Sequence, residues 1–240
     1  MSTALIIAGG AGKRSGQEVP KQFLTVNEKP IIIYTLEAFQ HHPDVSNIVV
    51  VVIDGWQTVV ETYARQFGIS KLSGVVVGGS DRFNSMYNGI KYLQTCCPPD
   101  EVILCHDANR PLVSKKIIDD AVEVCCRCGN ALPAMKTFNS IYVSKDGKVV
   151  DDAADREILY RGQAPEAMRL GDLIELSARA DAAGKGNTIA GMLNAFGEKV
   201  YLSPGSERNF KITTPDDIDM FKAMIALPET TKVVAKQQYC

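Results

Sequence analysis

The chain has 240 residues, 45% of them hydrophobic, with 26 basic and 28 acidic side chains and a formal net charge of -2. That length buries a full core without staples. The near-neutral balance excludes a global electrostatic footprint for nucleic acid or for an anionic membrane surface, so any anion site must be local.

The opening MSTALIIAGG is apolar over too short a run for a signal-peptide core. No later segment approaches the roughly 20 apolar residues of a membrane span. The expectation is a soluble, cytoplasmic protein with no membrane partner. Seven cysteines, several in the clusters Cys96-Cys97 and Cys125-Cys126-Arg127-Cys128, do not form an evenly spaced disulfide framework, so reduced thiols are expected. The Cys125/Cys128 spacing lacks a second pair of ligands and reads as buried small hydrophobes rather than a zinc site.

In chain order, apolar runs bounded by turn residues predict strands over 4–8, 47–53, 74–77, 101–105, 130–134 and 199–203. Helical spacing predicts helices over 30–40, 56–67, 81–94, 116–125, 171–183 and 215–225. Strands alternating with helices argue for an α/β fold with a mostly parallel sheet and ligands at the carboxyl ends of the strands. One stretch breaks the alternation. SIYVSKDGKVVDDAADREILY carries Lys145-Asp146-Gly147 between two β-rich runs, which predicts a hairpin arm over about 138–160. A lone hairpin is marginal in water, so an arm laid across a homodimer partner is expected, with folding back on its own subunit as the alternative. Residues 1–228 then form one domain including the arm, and 229–240 a tail.

In LIIAGGAGKRSGQEVPKQF, Gly9, Gly10 and Gly12 fall where the first strand turns into a loop. Backbone N–H groups bare of Cβ form an anion-binding nest there. Lys13, Arg14 and Lys21 add cations suited to a triphosphate. The spacing G-G-x-G-x-R matches neither a dinucleotide fingerprint nor a Walker loop, which argues against a Rossmann dehydrogenase.

The stretch AGGAGKRSGQEVPKQFLTVNEKPIIIYTLEAF resembles the opening of the polyol-phosphate cytidylyltransferases, the family of methylerythritol-phosphate and ribitol-5-phosphate cytidylyltransferases. Further similarities follow in order: GGSDRFNSMYNGI at 78–90, HDANRP at 106–111, DREILYRGQAPEAM at 155–168 and NFKITTPDDI at 209–218. The resemblance implies a Rossmann-like nucleotidyltransferase three-layer sandwich. It also implies transfer of CMP from CTP to a polyol phosphate, with Mg²⁺ and release of pyrophosphate. The chemistry agrees: a phosphate dianion needs no base to attack the α-phosphorus, so the protein holds two anions together and neutralises the transition state.

By that resemblance, the Ala8, Gly9, Gly10, Ala11 and Gly12 backbone and Gly79, Asp81, Arg82 and Ser85 hold the nucleotide. Arg14, Lys21 and Lys211 are the catalytic cations. Asp107, expected at the end of a strand, shares the metal with phosphate oxygens. Arg110 and the arm's Arg156 grip the acceptor phosphate, with Ser140, Asn187 and Thr188 in the acceptor pocket. His106 reads as structural. As bland alternatives, Asp81 and Arg82 form a helix start with a surface charge, Asp107 a turn, Arg14 and Lys21 a solvated basic loop, and Lys211 a plain strand-end lysine.

Departures from the family pattern cluster on the acceptor side. Asn139, Ser140 and Ile141 replace Asp-Thr-Ile, and Tyr142 stands where the methylerythritol branch often has Lys. Asn187, Thr188 and Ile189 stand where two carboxylates are usual. Trp56 and LYRGQAPEA lean toward the ribitol branch, although Ala164 and Glu166 depart from its usual Thr-Pro-Gln. Ribitol 5-phosphate is therefore the first acceptor, methylerythritol phosphate the second. A nucleotide-binding protein without transferase activity is the alternative from another class.

Overall fold

The computed structural model describes residues 1–10 and 19–227. Strand β1 (Ser2–Ala8) is followed by a 3-10 turn at Lys21–Phe23 and the short antiparallel pair β2 (Thr25–Val26) and β3 (Lys29–Pro30). Next come α1 (Ile31–Gln40), β4 (Val45–Val52), α2 (Gln57–Gln66), β5 (Leu72–Val77), α3 (Arg82–Leu93), β6 (Val102–Asp107), α4 (Lys115–Cys128) and β7 (Asn130–Lys136). The chain then forms β8 (Tyr142–Val143), β9 (Asp152–Ala153), β10 (Tyr160–Gly162) and β11 (Glu166–Arg169). It ends in α5 (Leu170–Ala183), α6 (Ile189–Ala195), β12 (Leu202–Pro204) and α7 (Pro215–Ala226).

The central sheet runs β10-β7-β11-β6-β1-β4-β5, with β12 beside β7. Strands β5, β4, β1 and β6 are mutually parallel, and β11 is inserted antiparallel between β6 and β7. Alternation along the central strands shows why helices cover both faces. Ala4, Ile6, Val50, Val52 and Leu104 point into a core with α1, α2 and α4, while Leu5, Ile7, Val49, Val51 and Ile103 meet α3, α5 and α6. Burying each such aliphatic side chain contributes about 1.5–3 kcal/mol, which makes both layers obligatory. Helix α3 lies so close to the sheet that a Cβ on Gly89 would stand 2.7 Å from Leu5 Cδ1 and 2.8 Å from Val51 Cγ2. A third, smaller cluster packs Val26, Ile31, Ile212 and Phe221, fixing α7 against β2 and the start of α1.

The twelve expected strands and helices all appear, with ends shifted by a few residues. Two features were not expected. The reversed strand β11 brings its first residue, Glu166, level with Cys105 of β6, at the edge where the parallel strands end. The seven-residue α6 begins at the expected acceptor segment, with Thr188 as its cap. The arm is a two-stranded antiparallel ladder, Tyr142 opposite Ala153 and Val143 opposite Asp152. Gly147 takes φ 71° in its turn, and the Asp146 carboxylate accepts from the N–H groups of Lys148 and Val149. No described helix is long and apolar enough to cross a membrane.

Candidate active site

Asp107 is the last residue of β6, where the sheet's carboxyl edge opens. Its side chain is 8% exposed and meets three cations: Arg82 at 3.1 Å, Arg110 at 3.1 Å and Lys211 at 3.2 Å. Burial alone would raise its pKa, but Arg82, Lys211 and Arg110 hold it well below the usual carboxylate range. Asp107 is therefore ionised at neutral pH. The cations come from three separate elements: α3, the loop after β6 and the segment before α7. The site exists only in the folded chain.

Each cation is itself aimed by the backbone. Arg110 also donates to the Asn209 carbonyl at 2.8 Å, and Asn109 exchanges hydrogen bonds with Ile212. These contacts tie residues 209–213 to the β6 loop and carry Lys211 to Asp107. Lys21 donates to the carbonyl of Thr213, which brings the second expected catalytic lysine to the same segment. Arg82 donates to the Asn187 carbonyl at 2.6 Å as well as to Asp107, so it spans from the end of β6 to the expected acceptor segment.

On the other side of the edge, two glycine turns converge on Ser85. A Cβ on Gly9 would lie 2.6 Å from Ser85 Oγ, one on Gly78 would lie 2.9 Å from it, and one on Gly79 would lie 2.3 Å from Asn84 Cβ. Ser85 Oγ donates to the Asp81 carbonyl and accepts from Gly79 N–H, so its single hydroxyl hydrogen is already used. Its part is to shape the wall between Gly9 and Gly79. Asp81 caps α3, accepting from Asn84 N–H at 2.8 Å, which is the helix-start reading of that residue. Ala8 ends β1 at the same edge, and Gly10 is exposed, with no atom of the described residues within 4 Å of the place a Cβ would take. Ala11, Gly12, Lys13 and Arg14 lie outside the described residues.

Sequence reasoning missed Gln22. It is buried, and its amide donates to the Ala8 carbonyl at 2.6 Å and the Gly10 carbonyl at 3.4 Å, bracketing the glycine turn from behind. Phe23 stacks on Trp56 at 4.2 Å and anchors the turn that carries Lys21. An amide sandwiched between Lys21 and an aromatic in a loop carries no periodic signal. Ser140 and Arg156 lie exposed on the arm, and among the described residues neither bonds to the Asp107 cluster. Thr188 accepts from Gly191 N–H at 2.9 Å and caps α6.

A separate group, His42, Asp44 and Asp119, has metal-capable atoms close together. His42 Nδ1 accepts from the Asp44 N–H and Nε2 donates to Asp119 at 3.0 Å, while Lys115 neutralises that carboxylate. With both ring nitrogens engaged, the group is a tie between α4 and the entry to β4.

A glycine-lined edge beside a carboxylate ringed by cations fits a polyphosphate, and the comparisons agree. The family model for 2-C-methyl-D-erythritol 4-phosphate cytidylyltransferase matches residues 2–226. The chain belongs to this cytidylyltransferase family. It is 38% identical to the ribitol-5-phosphate cytidylyltransferase of Lacticaseibacillus paracasei over 94% of this chain and 98% of that one. It is 33% identical to a 2-C-methyl-D-erythritol 4-phosphate cytidylyltransferase of Clostridium botulinum, covering 90% and 94%. The crystal structure of the latter enzyme from Thermus thermophilus has the same fold, with TM-score 0.76 and 24% identity over 95% of this chain and 100% of that one.

A cytidylyltransferase needs no base at His106, and burial keeps this ring from serving as one. The ring is fully buried against Phe39, its Nε2–H donates to the Arg110 carbonyl at 3.1 Å, and Nδ1 has no partner among the described residues. Burial pushes its pKa down to about 4 from 6.5. The unfolded chain therefore takes up a proton between those values that the folded chain refuses, so stability falls as pH drops through that window. The cost at full protonation is about 3 kcal/mol. His106→Asn is expected to flatten the unfolding free energy between pH 6.5 and pH 4, measured by urea titration. Parallel profiles for the two proteins would refute the assignment.

Proposed function

We propose that this cytidylyltransferase transfers CMP from CTP to the phosphate of ribitol 5-phosphate, giving CDP-ribitol and pyrophosphate. The observation that carries the choice of acceptor is the 38% identity, over nearly the whole of both chains, to a ribitol-5-phosphate cytidylyltransferase. The acceptor's phosphate oxygen forms a bond to the α-phosphorus of CTP as the bond to the bridging oxygen breaks, and pyrophosphate leaves in line.

In this reading the Ala8, Gly9, Gly10, Ala11 and Gly12 backbone cradles the triphosphate, and Gly79, Asp81 and Ser85 form the nucleoside wall. Arg14, Lys21 and Lys211 neutralise the charge that builds on the α-phosphoryl oxygens. The donor set at Asp107 suits Mg²⁺, which takes one or two carboxylates and completes its shell with substrate phosphates and water. Bound there, the ion would add positive charge beside the phosphates. The triphosphate in turn supplies anions to Arg82 and Lys211, and the acceptor phosphate one to Arg110, three cations that now share a single carboxylate. Arg110, Asn187 and Thr188 hold the acceptor from one protomer. Ser140 and Arg156 come from the partner's arm in a cytoplasmic homodimer. The arm exposes Phe138, Tyr142, Val143, Val149, Val150 and Ile158, an apolar load that a second copy would cover.

The test is pyrophosphate release from CTP and Mg²⁺ with ribitol 5-phosphate and, in parallel, 2-C-methyl-D-erythritol 4-phosphate. Turnover of ribitol 5-phosphate is expected. Turnover of the methylerythritol compound alone would transfer the assignment to it. No release above a Lys21→Ala control with any polyol phosphate would sink the transferase reading.

A further inference from the structure

We propose that Glu166 is a positioning residue for the acceptor, its buried carboxylate holding the start of α6 so that Asn187 and Thr188 face the Asp107 site. The inference rests on the acceptor role proposed for those two residues.

Glu166 is 6% exposed, and its Oε2 accepts the Ala190 N–H at 2.7 Å. Ala190 lies in the first turn of α6, where backbone donors have no intrahelical partner. Thr188 takes the neighbouring Gly191 N–H, and Arg82 takes the Asn187 carbonyl. The acceptor segment is thus capped from within by Thr188 and tethered from outside by two side chains, Arg82 of α3 and Glu166, the tether that comes from the sheet. Its position follows from the reversed strand β11: only an antiparallel strand starts, rather than ends, at the ligand edge, and Glu166 sits directly beside Cys105, two residues before Asp107.

A buried carboxylate is costly unless something stabilises its charge. Burial raises the pKa of Glu166, while the Ala190 N–H and the Arg82 charge favour the ionised form. Arg82 bonds Asp107 on the reaction side and the Asn187 carbonyl of the acceptor segment, while Glu166 holds that segment from the sheet. The guanidinium of Arg82 and the carboxylate of Glu166 together fix the acceptor segment relative to the phosphate site.

The experiment compares Glu166→Met, Glu166→Asp and Glu166→Gln in the full chain. Methionine keeps the length and fills the space without an acceptor atom, whereas aspartate keeps the charge but falls one methylene short. Glutamine retains an oxygen at the right place. For Glu166→Met, the acceptor KM is expected to rise about tenfold or more, the loss of one hydrogen bond to a charged group, while the CTP KM stays within about twofold. Amide exchange at 189–191 should accelerate by a similar factor with the amides of α3 unchanged. Glu166→Asp should fall between, and Glu166→Gln should restore both readouts. If Glu166→Met does not fold, Glu166→Asp carries the same comparison. A purely structural role would move both KM values together or neither, and either result overturns the inference while parent turnover leaves the proposed function standing. A parent chain silent on every polyol phosphate would instead overturn the proposed function and this inference with it.

Discussion

Asp107→Asn is expected to cut turnover by about 10²–10³-fold, the scale on which removal of one electrostatic group at a phosphoryl or acyl site is felt. Its effect on CTP binding should depend on the metal. In the parent, Asp107 balances Arg82, Arg110 and Lys211. With a neutral amide there, three cations face one another without their anion, so metal-free CTP should bind the variant at least as tightly as the parent. With Mg²⁺ present, only the parent should gain affinity. Calorimetric titration with and without the ion reads both, and an equal gain in the two proteins would remove Asp107 from the metal site.

The same substitution should also cost stability. Breaking a buried ion pair costs about 3–5 kcal/mol when the orphaned charge stays buried. Lys211 is 36% exposed and Arg82 29%, so both can turn to water, and about 2 kcal/mol is the better expectation. The pH sign is fixed by the direction of the shift: a carboxyl held below its ordinary value stabilises the fold at all pH above the unfolded pKa. That contribution is lost only as pH falls through the lower folded value. The gap between parent and variant should therefore stay flat above about pH 5 and close only in strong acid.

What the sequence discloses and what it hides divide along physical lines. The central strands are buried on both faces and read as continuous apolar runs, and the helices between them carry a 3.6-residue stripe, so the layers and the carboxyl-edge location of Asp107 are legible. Local hydrogen bonding also leaves traces: Asp81, Ser114 and Thr214 each cap a helix where a short polar residue precedes the pattern. Strand β11 is hidden because four residues, EAMR, give no alternation to count, and its direction is set by neighbours far apart in sequence. Helix α6 is hidden by its brevity. Glu166 and Gln22 therefore look like ordinary loop polars, although one tethers the acceptor segment and the other brackets the glycine turn. The residues proposed to contact ligand carry a motif, and those that hold them in place carry almost none.

Lys211→Met separates catalysis from folding at the same cluster. Lys211 is partly exposed, and its loss leaves Asp107 paired with Arg82 and Arg110, so the cost to stability should stay below about 1 kcal/mol. In the proposed reaction the lysine is a mobile cation that follows charge onto the α-phosphoryl oxygens, and turnover should then fall by about 10²–10³-fold with little change in the CTP KM. Arginine is a poor substitute, since a planar fork cannot track a point of charge that moves as the bonds exchange, so Lys211→Arg should recover only part of the rate. The double variant with Asp107→Asn sharpens the distinction. Removing Lys211 from a cluster that has already lost its carboxylate relieves repulsion, so the double variant should be more stable than the sum of the single losses predicts. Its rate should fall no further than the more damaging single change, because a lysine and a carboxylate that act on the same phosphates work as one unit. Strict additivity in both stability and rate would mean that Lys211 and Asp107 act independently, contrary to their 3.2 Å contact.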